Sequence, residues 1–286
     1  MSNYSAFTLR NYECSIRVIM NTLSFKEDDI LTKPNDVIAY INTLESLNTK
    51  NSRYNSIKWF IKGKCSSEVY KAYNDAHEAL KNKRQEQLES QQLKESRAEN
   101  YLEWPQVLAL TETMEFKVLS ELEQIVYYLY TLMPPVRADF VGMKVLTEKD
   151  YNNMLTICPN LNDYNWCLLD KHLTPSKFIF NKYKTDKTYG KVILDIPKKL
   201  ANELYSYRAG VRLNEFELLP INTENALCKM VQRIFEKLSG KRMSIGLLRH
   251  SYIHHFLSVK RKISERKELS RQMMHSIEVQ EQYDVI

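Results

Sequence analysis

The stretch "SIGLLRHSYIHHFLS", residues 244–258, decides how the second half of the chain is read. Leu247, Leu248, Tyr252 and Ile253 recur at the three- and four-residue steps of one helix face. Arg249 falls among them. A guanidinium on an apolar face must find acceptors, because leaving it unpaired away from water is very costly. His250 and His254 stand four apart on the same segment. No carboxylate follows as in HExxH and no cysteine pair accompanies them, so the spacing does not make a metal site.

On either side the chain alternates between helical and extended patterns. "YLEWPQVLAL" opens a helix at Trp104-Pro105, where proline is pre-set for the first helical turn. "FKVLSELEQIVYYLYTLM", 116–133, reads as one long helix ending at Pro134-Pro135. After "VRADFVGMKVL" the period turns extended: "NWCLLD", "SKFIFNKYKT" and "GKVILDIP" are short β-rich runs, the last two separated by "DKTY" in a hairpin. Helices resume with "PKKLANELYSYRA", "TENALCKMVQRIFEKL", residues 244–258 and "SERKELSRQMMHS". The expectation is a mainly α protein with a small antiparallel, three-stranded sheet (α+β).

The first hundred residues are helical throughout. "SAFTLRNYECSIRVIMNTL" places Leu9, Tyr12, Ile16, Ile19 and Leu23 on one face, with Ser5 or Thr8 as its cap. "PNDVIAYINTLESL" begins with a helix-start signature and carries Val37, Ile38, Ile41 and Leu44. "NTKNSRYNSIKWFIKGK" can bury its aromatics while Lys50, Arg53, Lys58, Lys62 and Lys64 face outward. From 69 to 101 strong helix formers continue, but apolar residues fade after Leu80. These patterns divide the chain into a helical domain at 1–85, a charged linker at 86–102 and a larger domain at 103–286.

Composition narrows the function. The 286 residues carry 41 basic and 35 acidic side chains, a net charge of +6 that suits a polyanionic partner. Six glycines and no GxGxxG or GxxxxGK[ST] give no support for a nucleotide-binding loop. Five cysteines, none in a CxxC pair, fit reduced thiols of an intracellular protein. No apolar run spans a membrane, and the start "MSNYSAFTLRNYE" lacks a basic-then-apolar leader, so secretion is not expected.

Four more residues join Arg249. Arg137 follows the double proline and is expected to begin a helix. Lys184, one of five lysines between 177 and 191, approaches the hairpin turn. His275 and Tyr283 sit in "MMHSIEVQEQYDVI", residues 273–286. Arginines, a lysine and a histidine converging on one point would hold an oxyanion, phosphate above all. The order of Arg137, Lys184, "LLRHSY" around Arg249, "MMHS" and a tyrosine eight residues after His275 resembles the signature of the tyrosine recombinases, the phage-integrase family. The resemblance covers the whole chain, since "SAFTLRNYECSIRVIM" and "TKNSRYNSIKWFI" look like the first and third helices of that family's core-binding domain. "LRHSYIHHF" is similar to recombinases of large DNA viruses, virophages and eukaryotic mobile elements. There are departures: Gly246 stands where a histidine or lysine is usual, Met274 replaces the glycine before the histidine, and Asp139 lies two rather than three after the first arginine.

The resemblance implies a DNA strand transferase needing neither metal nor ATP, with no cofactor. Tyr283 would attack a backbone phosphate to give a 3′-phosphotyrosyl link. Arg137 and Arg249 would hold the non-bridging oxygens, Lys184 would protonate the leaving 5′-oxygen, and His275 would donate to the phosphate or assist Tyr283. Lys50, Arg53, Lys58, Lys62 and Lys64 would contact phosphates of double-stranded DNA. Family members act as tetramers on two DNA sites, so self-association on DNA is also implied. Two other readings of the constellation are a type IB topoisomerase-like relaxing enzyme and a catalytically inactive DNA-binding protein of the same fold.

Overall fold

The computed structural model describes residue 4 and residues 6–89, 98–210 and 217–281. The chain divides into two compact units, Met1–Gln92 and Leu93–Ile286. The 90–97 part of the expected linker, Ser5 and Tyr283 lie outside the described residues.

The first unit is built from helices α1 (Ala6–Leu23), α2 (Glu27–Thr32), α3 (Pro34–Thr43), α4 (Leu47–Ile61) and α5 (Ser67–Glu89). The three-and-four spacing that buries Ile16 and Ile19 on α1 recurs as Tyr54, Ile57 and Ile61 on α4, and the faces share one core with Val37, Ile41 and Tyr73. Each such side chain contributes roughly 1.5–3 kcal/mol by leaving water. Ser46 caps α4 by accepting from Thr49 N at 3.3 Å, and buried Tyr73 Oη donates to Ile30 O at 2.9 Å. The basic residues of α4 are not one outward row. Lys50 donates to Asn42 O at 2.8 Å, Arg53 to Ser15 Oγ at 2.7 Å and Lys58 to Asn74 Oδ1 at 2.8 Å, so three of them tie helices together. Lys62 and Lys64, past the helix end, are exposed.

The second unit is helical around a four-stranded sheet. Helices α6 (Trp104–Ala109), α7 (Met114–Lys117) and α8 (Glu121–Thr131) precede it. The single helix expected over 116–133 is broken because Ser120 and Glu123 form a reciprocal capping box that starts α8 afresh. Strand β1 (Lys144–Thr147) leads through α9 (Glu148–Met154) to β2 (Trp166–Leu169), then β3 (Pro175–Phe180), α10 (Asp186–Tyr189) and β4 (Val192–Asp195). The order is β1-β2-β3-β4, with β1 parallel to β2 and the other pairs antiparallel. The sheet is therefore mixed and four-stranded rather than antiparallel and three-stranded. Thr147, the last residue of β1, at once caps α9, so no turn residue separates the strand from the helix that follows.

Alternation along the strands covers both sheet faces. Cys167, Leu169, Phe178 and Phe180 join the main core, while Trp166, Leu168 and Ile179 pack with Tyr151 and Leu161. Helices α11 (Lys198–Gly210), α12 (Glu224–Ser239), α13 (Ile245–Leu257), α14 (Ile263–Gln272) and α15 (Ile277–Glu281) complete the unit. The fold is mainly α with a small sheet. No helix among the described residues is long and apolar enough to cross a membrane.

His77, buried in the first unit, shares a hydrogen bond with Asn51 Oδ1 at 2.9 Å and stacks on Tyr54. Burial, with Lys58 and Lys81 nearby, pushes its imidazole down to about 4. The unfolded chain takes up that proton near pH 6.5 while the folded unit resists it until about 4, so this stabilising contribution is complete above pH 6.5 and drains as pH falls toward 4. An NMR titration should show no inflection of His77 near 6.5. A His77→Gln protein should lose less stability over that interval in urea titrations.

Candidate phosphate-binding site

Helix α14 ends in a turn that gathers most of the candidate residues. Met274 N donates to Arg271 O at 3.1 Å and His275 N to Ser270 O at 3.0 Å. These are the two bonds of a Schellman cap, which needs a left-handed residue between them. Met274 supplies it with φ +55°. The expected helix through "MMHS" thus stops at Gln272, and Met274 takes a conformation that glycine adopts most readily. The strain of about 1–2 kcal/mol is offset by burying the Met274 side chain in the main core, which contributes roughly 1.5–3 kcal/mol.

The turn aims two consecutive carbonyls at the two arginines. Arg249, 1% exposed on α13, donates through Nη2 to Met273 O at 3.2 Å and through Nη1 to Pro135 O at 2.7 Å. Arg137 Nη1 donates to Met274 O at 3.2 Å. Arg137 does not begin a helix: residues 134–137 are irregular and lead into a turn. The preceding prolines disfavour the helical region for the residues before them and cannot donate. Its backbone is held by Tyr130 Oη, which donates to Arg137 O at 2.8 Å. Half-buried, Arg137 keeps N–H groups that no described residue accepts.

His275 is buried beside this pair. Its Nδ1 lies 2.9 Å from Ser276 O, which can only accept, so the proton is assigned to Nδ1 and the lone pair to Nε2. Burial, together with the Arg249 and Arg137 charges, pushes the imidazole down to about 4, so it is neutral at pH 7. Asp139, also in the Arg137 loop, is pushed up to about 6 by burial against the pull of both guanidiniums, with Glu224 adding to the rise.

Lys184 is exposed, just before α10. Its neighbour Thr185 donates Oγ1 to Met274 O at 2.9 Å, the same carbonyl that Arg137 uses. Sequence reasoning missed Asn165, whose side-chain amide joins the Arg137 loop to this hairpin. Nδ2 donates to Asp139 O and to Lys182 O, both at 2.9 Å. Ser276 caps α15 by accepting from Val279 N at 3.2 Å, and Ser270 Oγ donates to Gln280 Oε1 at 2.6 Å, fastening α15 to α14. Tyr283 follows shortly after α15, outside the described residues.

Arg249, Arg137, His275 and the Lys184 hairpin thus meet around one helix cap. Removing the first should be felt structurally: Arg249→Ala strands the Pro135 and Met273 carbonyls and opens a void, lowering stability by about 2–4 kcal/mol in urea denaturation. Gly246 behaves oppositely. A Cβ there meets only Ser244 Oγ, at 3.6 Å, so Gly246→Ala should stabilise α13 by about 0.5–1 kcal/mol in the same assay.

No family model matches the chain, and no curated protein matches it. Among solved structures it is similar to the crystal structure of XerA recombinase, over 99% of this chain and 88% of that one, at 14% identity and a TM-score of 0.44.

Proposed function

We propose that the protein is a DNA strand transferase of the tyrosine recombinase kind, cutting and rejoining strands through a 3′-phosphotyrosyl intermediate at Tyr283. The observation that carries this reading is the convergence of Arg249 and Arg137 on the consecutive carbonyls of Met273 and Met274, with buried His275 next in the chain and held through Nδ1 by Ser276 O. Clustered guanidiniums in a largely desolvated setting suit a phosphodiester and the charge that grows on its transition state. Preorganised donors of this sort contribute roughly 3–4 kcal/mol each.

In the proposed reaction Tyr283 Oη bonds to phosphorus as the 5′-oxygen leaves. The phenol, with a free pKa of about 10, must lose its proton. Neutral His275 with its lone pair at Nε2 is suited to receive it. Of the two roles expected of this residue, that favours assistance to the tyrosine over donation to the phosphate. Lys184 gives a proton to the departing 5′-oxygen. An incoming 5′-hydroxyl reverses the step and restores Tyr283, so the energy of the phosphodiester is kept and no ATP is consumed.

Exposed Lys62 and Lys64 of the first unit would meet duplex phosphates. Lys50, Arg53 and Lys58, engaged within the unit, would contribute less to binding. Two DNA sites joined by four copies of the chain would form the synapse implied by the resemblance.

A nicked duplex suicide substrate tests the chemistry. The protein should form a denaturant-resistant adduct that Tyr283→Phe abolishes, and persistence of the adduct in that variant would sink the nucleophile assignment. Arg137→Ala should cut the cleavage rate by at least 100-fold while leaving duplex affinity within several-fold. Adduct without strand exchange but with relaxation of supercoils would favour the topoisomerase-like reading. Duplex binding with no adduct on any substrate would favour the inactive binder. The cleavage rate should also fall as acidification protonates His275, whose folded pKa is about 4 without DNA and rises beside a bound phosphate.

In a salt titration, Lys62→Ala and Lys64→Ala should each weaken binding to all sequences alike and reduce the log–log slope by about 1. Lys58→Ala should leave the slope nearly unchanged and lower stability instead.

A further inference from the structure

We infer that Asn165 and Thr185 are positioning residues that fix the backbone of Lys184 against the Arg137 loop and the α14 cap. The inference rests on the strand-transfer reading and deepens it. Lys184 itself is an exposed side chain on a turn, and nothing about its own surroundings fixes where its ammonium group goes. What is fixed is the chain on either side of it.

On the near side stands Asn165, 7% exposed at the start of β2. Its amide is saturated in both senses. Oδ1 accepts from Asn181 N at 2.9 Å and from Lys182 N at 2.8 Å, while Nδ2 donates to Lys182 O and Asp139 O at 2.9 Å. Three of those four bonds hold the segment where β3 runs out, and the fourth holds the loop that carries Arg137. Asn165 cannot drift, because its own carbonyl accepts from Lys144 N at 2.8 Å as β1 pairs with β2. On the far side, Thr185 Oγ1 is bonded to Met274 O at 2.9 Å. Lys184 lies between these two fastenings. One buried amide therefore sets the distance between the arginine loop and the lysine turn, and one hydroxyl sets the turn against the carbonyl that Arg137 shares.

An amide suits the first post and a carboxylate does not. The four partners are two main-chain N–H groups and two main-chain carbonyls, which only a side chain with both donors and acceptors can satisfy. In the reaction, Lys184 Nζ–H passes its proton to the 5′-oxygen as the P–O bond breaks, leaving a neutral amine and a free 5′-hydroxyl. Such help is worth about 10²–10⁴-fold and depends on reach.

The test compares ordinary suicide substrate with one whose scissile bridging atom is sulfur. A thiolate, with a conjugate pKa of about 8.5, leaves without being protonated. Lys184→Ala should lose cleavage on the oxygen substrate and recover on sulfur. Asn165→Asp, which keeps the volume but loses both donors, should be slowed about 10- to 100-fold on oxygen and return to within about threefold of wild type on sulfur, as expected for a defect confined to proton donation. Thr185→Val should show the same pattern more mildly, and Thr185→Ser, which keeps the hydroxyl, should match wild type.

Should Asn165→Asp fail to fold, Thr185→Val against Thr185→Ser decides. Wild-type rates on oxygen for Asn165→Asp and Thr185→Val would overturn the inference. So would defects that persist on sulfur while Lys184→Ala is rescued, which would mean a general structural role. Failure of wild type to form adduct on either substrate would instead overturn the strand-transfer reading, and the positioning role with it.

Discussion

The site depends on the left-handed turn at Met274. A helix cannot point two successive carbonyls at two separate cations, because its carbonyls run parallel to the axis. Breaking α14 with a Schellman cap splays Met273 O and Met274 O apart, and the guanidiniums of Arg249 and Arg137 each take one. The same turn sets His275 N onto Ser270 O and so places the imidazole beside both arginines. A residue with a Cβ holds the conformation because burial of its side chain compensates the strain.

From that cap the constraint spreads through main-chain atoms. Met274 O also receives Thr185, Pro135 O receives Arg249, and Arg137 O receives Tyr130. Four segments distant in sequence are thereby registered against one another by side chains reaching backbone. This arrangement is rigid where it counts: a carbonyl in a packed turn has nowhere to go, whereas an ion pair between two long side chains can rearrange. It also gives the buried Arg249 guanidinium two fixed carbonyl acceptors, Pro135 O and Met273 O.

How much of this was legible in the sequence follows from what each residue touches. Arg249 announced itself as a cation on an apolar face, and its burial follows from Leu247, Leu248 and Ile253 around it. Helix starts were legible wherever a proline marked them, as at Pro34 and Pro105. Asn165 and Thr185 were not, because their partners are backbone groups that carry no side-chain signature. Strand β1 escaped because it runs straight into the cap of α9 with no turn residue between them, and the break before α8 because Ser120-x-x-Glu123 sits inside a longer apolar run. At Arg137 the double proline mimics a start signal, yet the chain after it turns toward β1 and uses its carbonyls to bind other elements. Tyr283 was legible only as spacing after His275.

The charges of the site can be counted at pH 7. Arg137 and Arg249 bring two positive charges, His275 is held neutral, and Asp139, with its carboxyl near 6, is largely ionised. Among the described residues, the buried part of the site is thus close to one net positive charge, the complement of a phosphodiester carrying one negative charge. Two uncompensated guanidiniums would repel at a cost that burial magnifies, and a fully paired set would leave no field for the substrate. On the strand-transfer reading, the second negative charge that grows as tyrosine attacks has to be met from outside this buried set. Lys184 is the cation positioned to do so, because its turn is fastened to the same carbonyl as Arg137 while its own side chain remains in water. The division is physically sensible: the charges proposed to bind are buried and fixed by carbonyls, and the one proposed to pass on its proton stays in contact with water, from which it can be reprotonated.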